Sequence, residues 1–300
     1  MLHRRKTNHQ HFLVVLVFWE GEMKKQAVFL MIAVFLLTSG MKGLNSVSLT
    51  AADVDGAEDI EFAIRQATAD GTLPGRVVLD NSQGDFVFST DDKTINIFVP
   101  NLTLISKNGA VIKNCEGAIN FDALPASNVT IEGIRFLCSG DGISSSDYPN
   151  AGIRIVKNEI YVQGIGLDLG SLNNATIADN KITGKVGVRL DESSSALKVS
   201  HNQIDAVSIG IAVQGSDWNQ VVENRIAAGW QGILLSGEAD FNQVLANKIS
   251  RVEQSGVALD GDPFGNQILG NKVVCSIGAE CKAVDAQMEL IEQNHIKGNH

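Results

Sequence analysis

The sequence predicts an all-β fold: a right-handed parallel β-helix of 22–24-residue coils with a short capping helix near its N-terminal end. Three observations carry this. Asn recurs at 158, 180, 202, 224, 247, 271 and 294, in steps of 22, 22, 22, 23, 24 and 23 residues, and a period of that size marks a solenoid. Apolar residues flank each copy, three before it (Ile155, Ile177, Val199, Val221, Val244, Ile268, Ile291) and two after it (Ile160, Ile182, Ile204, Ile226, Ile249, Val273, Ile296). A glycine-led strand then follows in five coils, as GLDL (166–169), GVRL (187–190), GIAV (210–213), GILL (232–235) and GVAL (256–259).

These segments are β-branched, alternate with period two and are punctuated by Gly, Asn, Ser and Asp, so they read as short strands. Stacked at the ~4.8 Å spacing of neighbouring strands, they pile their Val and Ile columns into one core. Right-handed crossovers follow from the strong preference of parallel connections. A leucine-rich repeat is the competing solenoid, since ALKVSHNQI (196–204) fits its pattern. The position five before the Asn excludes it, because it runs Ile153, Ala175, Leu197, Asn219, Asn242, Asn266, Glu289. The recurring Asn itself reads as structural: it sits where the backbone turns between strands, tolerates left-handed geometry and can stack its amide from coil to coil.

In chain order, residues 1–52 read as a leader, with Met23-Lys24-Lys25 as a basic region before the apolar run Ala27 to Leu37, and translation expected to start at Met23. That run is short for a spanning helix, so a membrane anchor would require the leader to be retained. Residues 53–75 form an N-terminal cap, in which Asp59 to Asp70 is an amphipathic helix with Ile60, Ala63, Ile64 and Ala67 on one face and Gly71 as its stop. Residues 76–300 are the β-helix, beginning with the strand RVVLD (76–80). Upstream coils follow more loosely through Asn101 and Asn128. Cys115 and Cys138 fall about one coil apart, within reach of a disulfide. Cys275 and Cys281 bracket SIGAE as a small bridged loop, and export would let both pairs oxidise. The last coil looks incomplete, with His300 only a few residues past Asn294. Its open apolar end is an exposed edge that invites a stacking partner.

Composition narrows the partners. Aromatic residues make up only 6% and Gly numbers 29, which suits many tight turns. Residues 1–52 hold six of the 24 Lys and Arg and two of the 34 Asp and Glu, so the remainder has 18 basic against 32 acidic residues, or −14. No basic cluster is visible along that remainder, so nucleic acid is not an expected partner. A strongly anionic polysaccharide would need a local cationic groove.

The coils, together with the order DIEFAIRQA, RVVLD and NLTLISKNGAVI, resemble the pectin-lyase-like superfamily, including right-handed β-helix and NosD-like proteins, over roughly residues 76–296. The leader implies export to an extracellular, periplasmic or envelope location, and the resemblance implies the fold and a polysaccharide or other extracellular glycan as ligand. Its implication for activity is narrower, because the fold hosts lyases, glycoside hydrolases, epimerases and binding proteins. Polygalacturonase-like enzymes carry Asp-Asp and Gly-His-Gly motifs, and here GDGI (140–143) lacks the second Asp. Pectate-lyase-like enzymes carry Arg-x-Pro-x-x-Arg, which this sequence lacks. GDPFGN (261–266) has the Asp-Pro of alginate-epimerase-like repeats without the His. The expected function is therefore glycan binding, with processing left open. The alternative is a non-catalytic structural or adhesive module.

On the glycine strand the residues between and after the inward apolar positions should face solvent. They form two columns: Asn120, Ser144, Asp168, Arg189, Ala212, Leu234, Ala258 and Asp122, Ser146, Gly170, Asp191, Gln214, Ser236, Asp260. Asp168, Arg189 and Asp191 are the candidate catalytic group, as a carboxylate pair of glycosidase type or with Arg189 as a lyase base. The plain alternative is a surface ion-pair cluster. Trp230 is the candidate sugar platform, and Asn120, Ser144 and Gln214 are candidate binding residues. Trp218, which precedes Asn219 as Phe241 precedes Asn242, reads as turn packing. No metal site or cofactor is expected. Asp260, Asp262 and Asp285 offer calcium only three of the six to eight oxygens it takes.

Overall fold

A computed structural model describes residues 45–90, 93–121, 125–146, 148–191 and 193–300. The leader features up to residue 44, including Met23, and the column residue Asp122 lie outside these. Among the described residues no helix is long and apolar enough to cross a membrane.

Among the described residues the chain winds through two large parallel sheets. One has eleven strands, running from Asn45–Thr50 through Gly75–Asp80 and onward to His295–Lys297. The other has sixteen and bends along its length into two limbs. Lys181–Leu190 and Gln203–Gln214 pass through the bend as single strands, while Arg225–Ala228 and Gln231–Gly237 are separate strands on either side of it. We call the side that begins with Lys181, Gln203 and Arg225 the first limb and the side led by the recurring glycines the glycine limb.

Inside, the repeated apolar positions stack as predicted. Ile155, Ile177, Val199, Val221, Val244 and Ile268 are all fully buried, and register pairs each with the next from Ile155 to Ile268. Each such side chain contributes roughly 1.5–3 kcal/mol of burial. The glycines that open the glycine limb are set by packing against the next coil. A Cβ on Gly210 would lie 2.2 Å from Ile226 Cγ2 and 2.5 Å from the Gly232 oxygen.

The recurring Asn is structural, with one correction. The left-handed residue is the one before it: Lys157, Asp179, His201, Glu223 and Ala246 all have φ between 54° and 58°. The Asn that follows turns its amide inward and builds a ladder. Asn202 donates from both its backbone N and its Nδ2 to Asn224 Oδ1, each at 3.0 Å, and from Nδ2 to the Ile177 carbonyl at 2.9 Å. Asn224 repeats this onto Asn247, and Asn247 onto Asn271. A second ladder joins Asn219, Asn242, Asn266 and Asn294. The octet NQVLANKI (242–249) recurs because each copy supplies one rung to both ladders.

Asn294 therefore belongs to the other ladder from the one its spacing suggested. Asn271 is continued by Asn299, whose Oδ1 accepts its backbone N–H at 3.0 Å, and Ile296 rather than Ile291 lies in register with Ile268. The helix Met288–Gln293 occupies the extra residues of this coil. The last apolar positions, Val273, Val284 and Ile296, are only partly buried. Their partners one coil earlier, Ile249, Val257 and Ile268, are at most 1% exposed.

At the other end the solenoid starts earlier than RVVLD. Asn45–Thr50 pairs in parallel with Gly75–Asp80, so the strand lies inside the fold rather than in a leader. Val47 and Leu49 point into the core there, the same alternation that makes the later strands. The capping helix spans Ala57–Thr68 and buries Ile60, Ala63, Ile64 and Ala67. Asp59 accepts the Asp55 N–H at 2.7 Å ahead of its first turn. Two disulfides are present. Cys115–Cys138 joins registered neighbours on adjacent coils with Cα atoms 4.6 Å apart, and Cys275–Cys281 closes the SIGAE loop at 5.6 Å.

Candidate functional site

The first outward column of the glycine limb exists as one register: Asn96, Asn120, Ser144, Asp168, Arg189, Ala212, Leu234, Ala258 and Asp285 follow strand by strand. Two expected members are not open to solvent, since Ala212 and Ala258 are 3% and 4% exposed. Each is a methyl flanked by longer side chains, Arg189 and Leu234 for one, Leu234 and Asp285 for the other. The solvent-facing polar stretch is therefore the part from Asn96 to Arg189. It begins at the capping helix, where Glu61 Oε1 accepts from Asn96 N at 2.7 Å and Asn96 Nδ2 at 2.9 Å. Asn120 donates to Asn96 Oδ1 at 3.4 Å, and Ser144 donates to Asn120 Oδ1 at 3.3 Å.

Asp168 and Arg189 come together on adjacent strands. Arg189 Nε and its terminal Nη2 grip the two carboxylate oxygens of Asp168 at 2.7 and 2.5 Å, a bidentate pair. Asp191 Oδ2 stands 4.0 Å from Arg189 Nε. The hydrogen bond to Asp168 raises the Arg189 guanidinium above its usual range, burial opposes this, and the fields of Asp168, Asp191 and Asp141 add to it. Arg189 is thus held as a cation, which works against its use as a lyase base. Both oxygens of Asp168 are engaged by the same guanidinium. Asp141, absent from the sequence-derived site, belongs to the group as well; its Oδ1 accepts the Ile165 N–H at 2.7 Å. Column spacing does not reveal it, because it precedes the column rather than occupying it.

Trp230 stands elsewhere, at the bend between the limbs. It is about half exposed. With Glu253, Gln254, Glu280, Lys282 and Asp285 it lines a cleft of about 530 Å³. Lys282 Nζ contacts Asp285 Oδ1 at 2.6 Å, and Gln231 donates to Gln254 at 2.8 Å. Asp285, last in the register from Asn96, ties the cleft to the glycine limb. Gln214 lies one coil beyond Arg189 and two residues along, paired with Ser236, and does not line the cleft. Trp218 stacks on Phe241 with ring centroids 4.5 Å apart, and Phe264 meets Phe241 edge-on at 5.6 Å. Trp218 remains 61% exposed, so this packing is on the outside. Among the described residues no group of three or more His, Cys, Asp or Glu is placed to hold a metal ion, so Asp260, Asp262 and Asp285 do not converge.

A basic column does exist, contrary to the sequence reading. Lys181, Gln203, Arg225, Lys248 and Lys272 are in register on successive strands of the first limb, all exposed. Its members are 22 to 24 residues apart in sequence, so no local run betrays them. Their shared place, directly after the ladder Asn, is the signal that could have found them.

This geometry defines a right-handed parallel β-helix with an outer polar column and an aromatic cleft. Residues 108–273 match the family described as right-handed beta-helix region, and the chain belongs to that family. No curated protein sequence matches it. Among solved structures, the Dettilon tailspike protein is similar at a TM-score of 0.55 and 14% identity, covering 83% of this chain and 70% of that one. DFA-IIIase from Arthrobacter chlorophenolicus A6 is similar at 0.55 and 13% identity, covering 81% and 88%. The Geobacillus virus E2 ORF18 protein is similar at 0.54 and 14%, covering 90% and 64%. At these identities the likeness is one of fold.

Proposed function

We propose that the protein binds a glycan in the Trp230 cleft and along the adjoining glycine limb. The observation that carries this is the cleft itself: a half-exposed indole beside Glu253, Gln254, Glu280, Lys282 and Asp285. A single indole face among five polar or charged side chains suits a hydroxyl-rich ligand better than an apolar one. Indole offers a flat apolar surface to the C–H face of a sugar, and carboxylates and amides accept and donate to its hydroxyls. The three carboxylates disfavour an anionic sugar at this position, so the segment held here is uncharged. A DFA-IIIase of similar fold has been solved in complex with GF2, which supports a saccharide as the ligand class. Two disulfides support an oxidising, extracytoplasmic location.

A structural ion pair rather than turnover is the reading for Asp168 and Arg189, because the guanidinium engages both oxygens of the Asp168 carboxylate. The test is titration with a panel of neutral oligosaccharides, followed by tryptophan fluorescence and calorimetry. One panel member should bind, and Trp230→Ala should weaken it at least tenfold while Asp168→Asn leaves the affinity within about twofold. Unchanged affinity in Trp230→Ala, or no binding across the panel, removes the proposal.

A further inference from the structure

We propose that the first limb carries a second binding surface, for an acidic polysaccharide laid along the solenoid axis over Lys181, Arg225, Lys248 and Lys272. Three of these, Arg225, Lys248 and Lys272, occupy directly adjacent strands in register, so neighbouring cations are stacked at about the strand spacing of ~4.8 Å. Like charges directly opposite one another on paired strands repel. Relief would come from interleaved carboxylates, and the nearby ones are committed elsewhere. Glu159 is paired with Arg135, Glu223 with His201, and Asp205 with Arg251. Among the described residues none of Arg225, Lys248 and Lys272 has an ion-pair partner.

The chain as a whole is strongly acidic, at −10, so its net field repels polyanions. An anionic polymer can bind only where cations are locally in step with it. The first limb provides that step, one cation per coil over three coils, with Lys181 continuing it beyond the amide of Gln203. A linear polysaccharide with one carboxylate or sulfate on each sugar presents charges at a comparable repeat. Single-stranded nucleic acid suits the face less well, because base binding relies on aromatic platforms. The next outward column runs Thr183, Asp205, Ala227, Ser250 and Val274 without a ring, and the single aromatic ahead of it in register, Tyr161, is covered by the Lys181 ammonium 5.3 Å from its centroid. This surface is separate from the Trp230 cleft, so the two can stand or fall independently.

The experiment measures binding of the purified chain to polygalacturonate, heparin, dextran and oligothymidylate by calorimetry at low and moderate salt. Polygalacturonate or heparin should bind and dextran should not, with affinity falling steeply as salt rises. The triple variant Arg225→Gln/Lys248→Gln/Lys272→Gln should lose at least tenfold in affinity while Trp230→Ala loses none. All three sites are exposed, and circular dichroism of the variant verifies its fold. Should the triple variant misfold, Lys248→Gln alone should still cost at least threefold. Retained affinity in the folded variants, or no binding of either acidic polysaccharide at low salt, overturns the proposal. Oligothymidylate binding as tightly as the polysaccharides also overturns it, because the surface would then read charge without reading a glycan.

Discussion

Like side chains are stacked coil on coil in two places, with opposite consequences. Inside, Asn202, Asn224, Asn247 and Asn271 each give what the next one accepts, so like on like closes a hydrogen-bonded ladder. Outside, on the first limb, Arg225, Lys248 and Lys272 each meet a copy of their own charge. An amide is both donor and acceptor and can be repeated without limit, whereas an ammonium only donates. The solenoid tolerates monotony in its interior columns, and a monotonous charged column on its surface is tension that a ligand can relieve.

The comparison is broken most severely from the inside. Asn224→Ala strips an acceptor from the Asn202 N–H and Nδ2 and a donor from the Val199 carbonyl and Asn247 Oδ1. Each buried group left unpaired costs ~1–3 kcal/mol, so the variant should lose at least ~3 kcal/mol in chemical denaturation, and a loss below ~1 kcal/mol would mean the ladder is incidental. Gly210→Ala comes next. Its Cβ would sit 2.2 Å from Ile226 Cγ2, an overpacking that should cost about 1–3 kcal/mol. Its melting temperature should fall accordingly, and an unchanged value would separate the glycine column from the frame.

The surface column should respond in the other direction. Lys248→Gln removes the middle charge of three and should raise stability by ~0.2–1 kcal/mol, an effect that shrinks with added salt. Destabilisation would show that the column is already neutralised. The gentlest contrast is a pair of opposite charges in register, Asp80 and Lys107, with Nζ and Oδ2 2.6 Å apart. The Lys107 ammonium, helped by Asn108 and Ser82 against burial, lowers the Asp80 carboxyl from 3.8 to about 2. The proton binds the unfolded chain more readily, so this contribution is complete above pH 3.8 and lost as pH falls toward 2. The drop in melting temperature between those values should be smaller in Asp80→Asn than in the wild type.

The frame was legible because its physics is periodic. A buried apolar column must repeat at the coil length, and so must the Asn that feeds a ladder. The parts that sequence conceals break or exceed the period. Asn294 and Asn299 are five residues apart, as are Asn242 and Asn247, so an inserted helix could shift the register by one ladder without disturbing the pattern. The left-handed φ belongs to the residue before the ladder Asn, where Lys, Asp, His, Glu and Ala all occur and composition gives no hint. The strand Asn45–Thr50 falls within the stretch 1–52 that the sequence alone reads as a leader, so its alternation goes unnoticed there. At the candidate site, Asp168 and Arg189 could be paired from column arithmetic alone. The Trp230 cleft needed the bend between the limbs, which sequence spacing does not encode.

The ladders also make length a quantised property of this molecule. Removing residues 181–202, one complete 22-residue period, would bring Gln203 beside Glu159 and Asn224 onto Asn180, with every interior column rejoined. Deleting a single residue from the same stretch would slip one face of a strand to the other. Growth and shrinkage by whole coils are therefore the least disruptive changes open to such a chain. Each one lengthens or shortens both outer surfaces by the same step, like a ruler whose two edges are cut together.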